Sequence, residues 1–206
     1  MRRESATVVA LTGEITGGLL AELGRSGNVS VAQPVAVPDE QDGASRGRPE
    51  SGWEPGARAM REAARRRSMF VIVPDDPLAA VAAAWSTMWE PAAGPGAPQA
   101  FEARAAEALG AWRGKQFELP DYYLVAAPTQ HGATEPDFYL GPLRGVRPRR
   151  VAVAGIAGAD AAAQAAILLD ALRSLEHGPW WPPLDELLDA VRHFYAGALA
   201  ETGAPA

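Results

Sequence analysis

Short runs of consecutive apolar residues alternate with longer stretches of helical periodicity along most of this chain. The clearest unit spans Arg149 to His177, where the apolar residues 151–155 lead through a small-residue turn into a helix that Asp160 is placed to cap. Similar runs stand at 7–11, 69–73 and 121–127. Another, at 29–37, is interrupted by Pro34, which removes a hydrogen-bond donor and predicts a broken or edge strand. Unbroken apolar runs are typical of strands covered on both faces, so the pattern predicts a parallel sheet.

The regular alternation of strands and helices predicts the class of fold. We expect a three-layer α/β domain, Rossmann-like or flavodoxin-like, with about five mostly parallel strands and helices on both faces. Asp76 followed by Pro77 predicts the start of a helix, with the aspartate as cap and the proline in the first turn. The pattern gives no basis for the order of the strands.

Two segments interrupt the alternation. Residues 38–56 mix proline, glycine, serine and charges of both signs, which predicts a flexible insertion, because such a stretch buries too little apolar surface to offset its ordering entropy. Residues 128–148 have no clear period and are predicted to form a long irregular loop. Residues 1–206 are otherwise predicted to be a single α/β domain.

Charge and composition exclude several classes of function. With 19 basic and 25 acidic residues the net charge is −6, so nucleic acid is not an expected partner. The absence of cysteine excludes disulfides, thiolate metal sites and a cysteine nucleophile. No apolar run approaches the roughly 20 residues of a membrane span, and the start lacks a signal-peptide pattern, so we expect no membrane association and a cytoplasmic protein.

Candidate binding residues follow the predicted strands, because open parallel sheets bind ligands beyond the carboxyl ends of their strands. Gly13, Gly17 and Gly18 follow the first strand and could cradle a phosphate, although the segment lacks the Lys-Ser/Thr ending of a P-loop and also suits a tight turn. Arg144 and Arg147 could bind a carboxylate or phosphate through two hydrogen bonds each. These residues favour binding of a small anionic ligand, or of a protein partner, at the strand ends.

An enzyme is the first alternative. His131 could act as general acid or base, with Glu135 or Asp137 orienting it and Asp75 contributing from another strand end. Apolar neighbours of these groups could instead pin the loop and leave the charges solvated. The chain contains neither a GxSxG nor an HExxH motif, so the sequence predicts no metal site and identifies no cofactor.

A structural role is the second alternative. Trp180 and Trp181 stand between prolines, directly before the last predicted helix. Such a pair either folds back on the core or presents an interface, since tryptophan is a frequent anchor of interfaces. The protein could therefore be an assembly subunit that uses this pair and the last helix, and homo-oligomer formation is left open.

Overall fold

The structure, a computed structural model, contains one sheet of five parallel strands in the part of the chain that it describes. The described residues are 6–13, 15–32, 52–90, 93–127, 135–156 and 159–202. The strands are β1 (Thr7–Gly13), β2 (Val29–Val31), β3 (Phe70–Val73), β4 (Tyr122–Ala127) and β5 (Val151–Gly155). They lie in the order β2-β3-β1-β4-β5, so β1 is the central strand.

Helices cover both faces of the sheet, which confirms the predicted three-layer α/β fold. They are α1 (Gly17–Gly24), α2 (Glu54–Ala63), α3 (Ala79–Thr87), α4 (Ala97–Arg113), α5 (Glu135–Phe138), α6 (Arg144–Val146), α7 (Ala161–Arg173) and α8 (Leu184–Thr202). Helices α1 and α7 pack on one face, and α2, α3, α4 and α8 pack on the other. In the described part of the chain, no helix has the length and apolar character needed to span a bilayer.

The strands alternate between the two cores although their sequences are continuously apolar. Val9 and Leu11 of β1 contribute to the core under α1 and α7, whereas Ala10 contributes to the core under α3, α4 and α8. Ala10 pairs in register with Val73 on one side and with Tyr123 on the other. Its methyl group leaves room above β1, so the side chain of Tyr123 can extend from β4 toward the end of β3.

Two helix starts follow directly from the sequence. Asp160 caps α7 by accepting a hydrogen bond from the backbone nitrogen of Ala163 at 2.8 Å, as predicted. Thr16 caps α1 in the same way, with a bond of 3.2 Å from the nitrogen of Leu19. The cap places the first turn of α1 directly after the carboxyl end of the central strand.

The segment predicted as an irregular loop, 128–148, is helical over the part that the structure describes. Helix α5 passes through a π-helical turn at Tyr139–Leu143 into α6, and a 3-10 turn at Pro148–Arg150 leads into β5. Pro142 lies inside the π-helical turn, where a wider turn accommodates a residue without an N–H group. The prolines and glycines of this segment disrupt its helical period, which explains why the sequence pattern indicated a loop.

Most of the predicted insertion, residues 38–56, lies outside the described residues, but its end is helical. Helix α2 begins at Glu54, and the ring of Trp53 stacks against Phe117 with centroids 6.3 Å apart. Gly56 packs so closely on the turn after β3 that a Cβ there would lie 2.3 Å from the nitrogen of Pro77. Helix α2 therefore supports the segment that carries Asp75 and Asp76.

Candidate functional site

The carboxyl ends of β1 and β3 meet at one edge of the sheet. Their last registered pair is Ala10 with Val73, and two residues further along each strand stand Thr12 and Asp75. Because neighbouring parallel strands end at the same edge, both side chains lie at the position where open α/β sheets bind ligands.

A buried carboxylate organises this edge. Asp76 is 4% exposed and accepts hydrogen bonds from the hydroxyls of Tyr123, at 3.1 Å, and Tyr139, at 2.8 Å. The two rings also contact each other, with centroids 5.2 Å apart. Burial, followed by the charge of Asp76 and the hydrogen bond to it, raises the pKa of Tyr123 well above its ordinary value, so this phenol remains a donor.

The expectation that Asp76 caps the next helix is wrong. Helix α3 begins at Ala79 with Leu78 in the cap position, and no side chain caps it. The carboxylate of Asp76 instead accepts from two tyrosines of the core, because a buried carboxylate needs donors and the phenols supply them on its side of the sheet.

Two polar atoms at this edge are buried without a hydrogen-bond partner in the described part of the chain: Oγ1 of Thr12 and Oδ2 of Asp75. Thr12 as a whole is 7% exposed. Burial raises the pKa of Asp75 above its ordinary value, because removal from water disfavours the charged carboxylate. Sequence reasoning identified Asp75 as a candidate but missed Thr12, since only the strand order shows that they are neighbours.

The three glycines predicted to cradle a phosphate have different surroundings. Gly13 has a φ of 98°, and a Cβ there would lie 2.2 Å from the carbonyl oxygen of Ala126, so it allows a close approach to β4. Gly17 has open space around it, and a Cβ on Gly18 would lie 3.6 Å from that of Ala161. Leu19, at the position of a P-loop lysine, is fully buried, so this turn cannot place a lysine against a nucleotide.

Asp137, a predicted partner of His131, lies in a separate pocket. Together with Trp85, Trp89 and Phe194 it lines a cavity of about 270 Å³ between α3, α5 and α8. Glu135 begins α5, and His131 lies outside the described residues, so the proposed acid–base pairing through His131 stays a prediction. Within the described ranges no group of three or more acidic or histidine side chains is placed to hold a metal ion.

Arg147 lies away from Thr12 and Asp75. Arg147 donates through Nε to the carbonyl of Trp180 at 2.6 Å. The neighbouring Trp181 donates to the carbonyl of Pro120, just before β4, so Arg147 lies at the opposite, amino edge of the sheet. Arg144 is exposed on α6, and its role in binding stays a prediction.

Arg150 at this amino edge is an important residue that the sequence did not reveal. It is 8% exposed and donates to the carbonyls of Gly178 at 2.7 Å, Pro179 at 3.0 Å and Asp121 at 3.2 Å. Its guanidinium also lies 4.8 Å from the ring centroids of both Tyr122 and Trp180. These contacts are to backbone carbonyls and ring faces, so the sequence pattern does not indicate the burial of this arginine.

The tryptophan pair divides between core and surface. Trp181 is 5% exposed and packs edge-on against Tyr123 with centroids 5.5 Å apart, whereas Trp180 is 39% exposed. The apolar residues at the start of α8 are buried in the core of the chain itself. They are Leu184, Leu187, Leu188 and Val191. Self-association through Trp180 stays a prediction that sedimentation can test.

Comparison of the chain with protein-family models, with curated proteins and with solved structures finds no match.

Proposed function

We infer that the protein binds a small anionic ligand at the carboxyl edge of its sheet, between β1 and β3. One observation carries the proposal: Oγ1 of Thr12, near the end of β1, and Oδ2 of Asp75, just after the neighbouring β3, are buried without a partner in the described part of the chain. A buried polar atom without a hydrogen bond costs about 1–3 kcal/mol, and folded proteins satisfy the large majority of such atoms. Pairing with a bound ligand removes this cost at both positions.

The first turn of α1 favours a negative charge on that ligand. Helix α1 begins at Gly17, immediately after the turn that leaves β1, and the N-terminal end of a helix attracts anions through its free backbone amides. Gly17 and Gly18 of this turn are exposed, whereas the amide of Leu19 is bonded to the Thr16 cap. A phosphate or carboxylate placed there accepts from backbone amides of this turn.

The protonation state of Asp75 affects how strongly an anion binds at this edge. A carboxylate repels an anion, but a protonated carboxyl donates a hydrogen bond to it. Since burial raises the pKa of Asp75, protonation occurs at a higher pH than in an exposed aspartate. Anion binding should therefore strengthen as the pH falls. At neutral pH, replacement of Asp75 by the uncharged asparagine should strengthen it as well.

The test is a calorimetric titration with inorganic phosphate at about pH 4 and pH 8, the first within the ordinary range of an aspartate and the second far above it. We expect tighter binding at the lower pH, and Asp75→Asn should bind about ten-fold tighter than wild type at the higher pH and keep only the pH dependence that comes from the second ionisation of phosphate itself. Thr12→Val should weaken binding about ten-fold. Thr87→Val removes a hydroxyl that bonds the carbonyl of Ala83 within α3, and it serves as the matched control.

Two results would contradict the proposal: no saturable phosphate binding at either pH, or the same affinity in wild type and Thr12→Val. Mg²⁺ distinguishes a different arrangement. If Asp75→Asn binds phosphate more weakly than wild type in the presence of Mg²⁺ but not in its absence, a cation bridges the carboxylate and the anion.

Catalysis is a second candidate, because Asp75 stands at the carboxyl edge with Oδ2 buried and without a partner among the described residues, and burial raises its pKa toward the range of a general acid or base. In that case Asp75→Asn should retain ligand binding and lose turnover of the bound compound. Wild type and variant are each incubated with the anionic compounds that bind, and NMR of the mixture shows whether a compound is converted. Conversion by wild type and not by Asp75→Asn identifies an enzyme, and no conversion by either identifies a binding protein.

A further inference from the structure

An aromatic pocket, distinct from Thr12 and Asp75, lies on the face of the sheet covered by α3 and α8. Trp85 belongs to α3, Trp89 follows one helical turn later, and Phe194 of α8 and Asp137 of α5 complete the lining. Its volume of about 270 Å³ is close to the lower limit of small-molecule pockets, roughly 300 Å³. The pocket is therefore of a size for a small headgroup.

The rings form inclined walls around this space. The centroids of Trp85 and Trp89 are 5.4 Å apart with planes at 58°, and those of Trp85 and Phe194 are 6.4 Å apart with planes at 49°. Trp85 is 4% exposed, so it forms the floor, whereas Phe194 is 45% exposed and forms the rim. A Cβ on Gly141 would lie 3.2 Å from Cζ of Phe194, so the glycine lets the π-helical turn support this ring closely.

The charge at the pocket is negative. Asp137 is exposed and forms no ion pair with any arginine, lysine or histidine in the described ranges. The faces of aromatic rings carry the negative part of their quadrupole, and they attract cations within about 6 Å of the ring centre. Three rings and one carboxylate around one cavity therefore favour a positively charged occupant over a neutral or anionic one.

We propose that this pocket binds an organic cation, a trialkylammonium group. The methyl groups of such a cation contact the three rings, its charge is balanced by Asp137, and its weak hydration makes transfer into an aromatic pocket favourable. Binding here is independent of anion binding beside Thr12, so the two proposals can fail separately.

The test compares choline with 3,3-dimethylbutan-1-ol, which has the same shape and hydroxyl but no charge. Calorimetric titration of the full chain should give saturable binding of choline and at least about ten-fold weaker binding of the alcohol. Asp137→Asn and Phe194→Leu change exposed side chains, so both variants should fold, and each should weaken choline binding by about five- to ten-fold. Trp180→Phe alters an exposed tryptophan at the amino edge and should leave the affinity unchanged.

Equal affinity for the alcohol and choline, wild-type affinity in Phe194→Leu, or no saturable binding of any cation would each overturn the proposal. A short peptide with trimethyllysine, titrated in parallel with its unmodified form, distinguishes a protein-borne ammonium group from a free one. Tighter binding of either the trimethylated peptide or choline upholds the cation site, and failure of both contradicts it.

Discussion

The hydroxyl of Tyr139 donates to Oδ2 of Asp76 across 2.8 Å and ties the helical segment after β4 to the turn after β3. The two residues are 63 positions apart, and both are almost fully buried. Asp76 also accepts from Tyr123, so one carboxylate joins three segments that meet near the carboxyl edge. The position of the turn that presents Asp75 therefore depends on a hydrogen-bond network in the core and not on helix capping.

Removal of one phenol hydroxyl tests this network. Tyr139→Phe leaves the ring and deletes a donor to a buried carboxylate, so we expect a loss of about 2 kcal/mol in the free energy of unfolding, measured in urea. Tyr122→Phe is the matched control, because its hydroxyl bonds a carbonyl at 3.3 Å, and it should cost less than about 1 kcal/mol. A double-mutant cycle with Asp76→Asn should show coupling, and strict additivity would contradict the network.

Stability should depend on pH through Asp75. The folded-state pKa of Asp75 is raised above its ordinary value of 3.8, so its contribution to stability is fully present below that value and is lost as the pH rises through the folded pKa. Asp75→Asn removes this penalty. The variant should therefore gain stability relative to wild type as the pH increases from about 4, and the gain should level off above the folded pKa.

Urea unfolding at a series of pH values checks this expectation. Asp137→Asn, which removes one negative charge at an exposed position, corrects for the change in net charge. If the difference in the free energy of unfolding between Asp75→Asn and wild type stays constant with pH, the pKa of Asp75 is the same in the folded and unfolded states, which contradicts the prediction.

Two aspartates show how far the sequence predicts the structure. Asp76 and Asp160 both stand at a predicted helix start, and local chemistry favours a cap in each case. Asp160 is a cap, because its neighbours leave it exposed beside the first turn of α7. Asp76 is not, because Tyr123, which is 47 positions away, and Tyr139 bond to its carboxylate. The sequence predicts each strand but not the strand order that places β3, β1 and β4 side by side. The hydrogen bonds from the two tyrosines to Asp76 could therefore not be predicted.

The same limit applies to the candidate site. Asp75 could be selected because it follows an apolar run, but the unpaired hydroxyl of Thr12 becomes significant only when β1 and β3 are known to be neighbours. The aromatic pocket depends on α3, α5 and α8, which are brought together by long-range packing. Local periodicity predicts elements well because it reports burial of each element, but it does not specify which elements share an edge or a cavity.

Arg150 should be essential for the amino edge of the sheet. Its three guanidinium nitrogens each donate to a backbone carbonyl, a geometry that a lysine ammonium cannot reproduce. We expect Arg150→Lys to lower the free energy of unfolding by about 3 kcal/mol. The neighbouring Arg149 is exposed in an ion pair with Glu176, so Arg149→Lys should change stability by less than about 0.5 kcal/mol. Similar effects of the two variants would show that the carbonyl contacts of Arg150 contribute little.

Gly13 should tolerate no side chain, although it stands in the glycine-rich turn where a phosphate cradle was a natural expectation. An alanine there combines an unfavourable positive φ with a Cβ only 2.2 Å from the carbonyl oxygen of Ala126, so Gly13→Ala should cost about 3 kcal/mol in urea unfolding. Gly17→Ala is the control, because nothing lies within 4 Å of its added Cβ, and it should be neutral or stabilising by up to about 1 kcal/mol. Because the clash separates β1 from β4 beside Thr12, Gly13→Ala should also weaken phosphate binding more than Gly17→Ala does. Loss of binding in Gly17→Ala with wild-type stability would instead assign the anion contact to the backbone of Gly17 and not to Thr12.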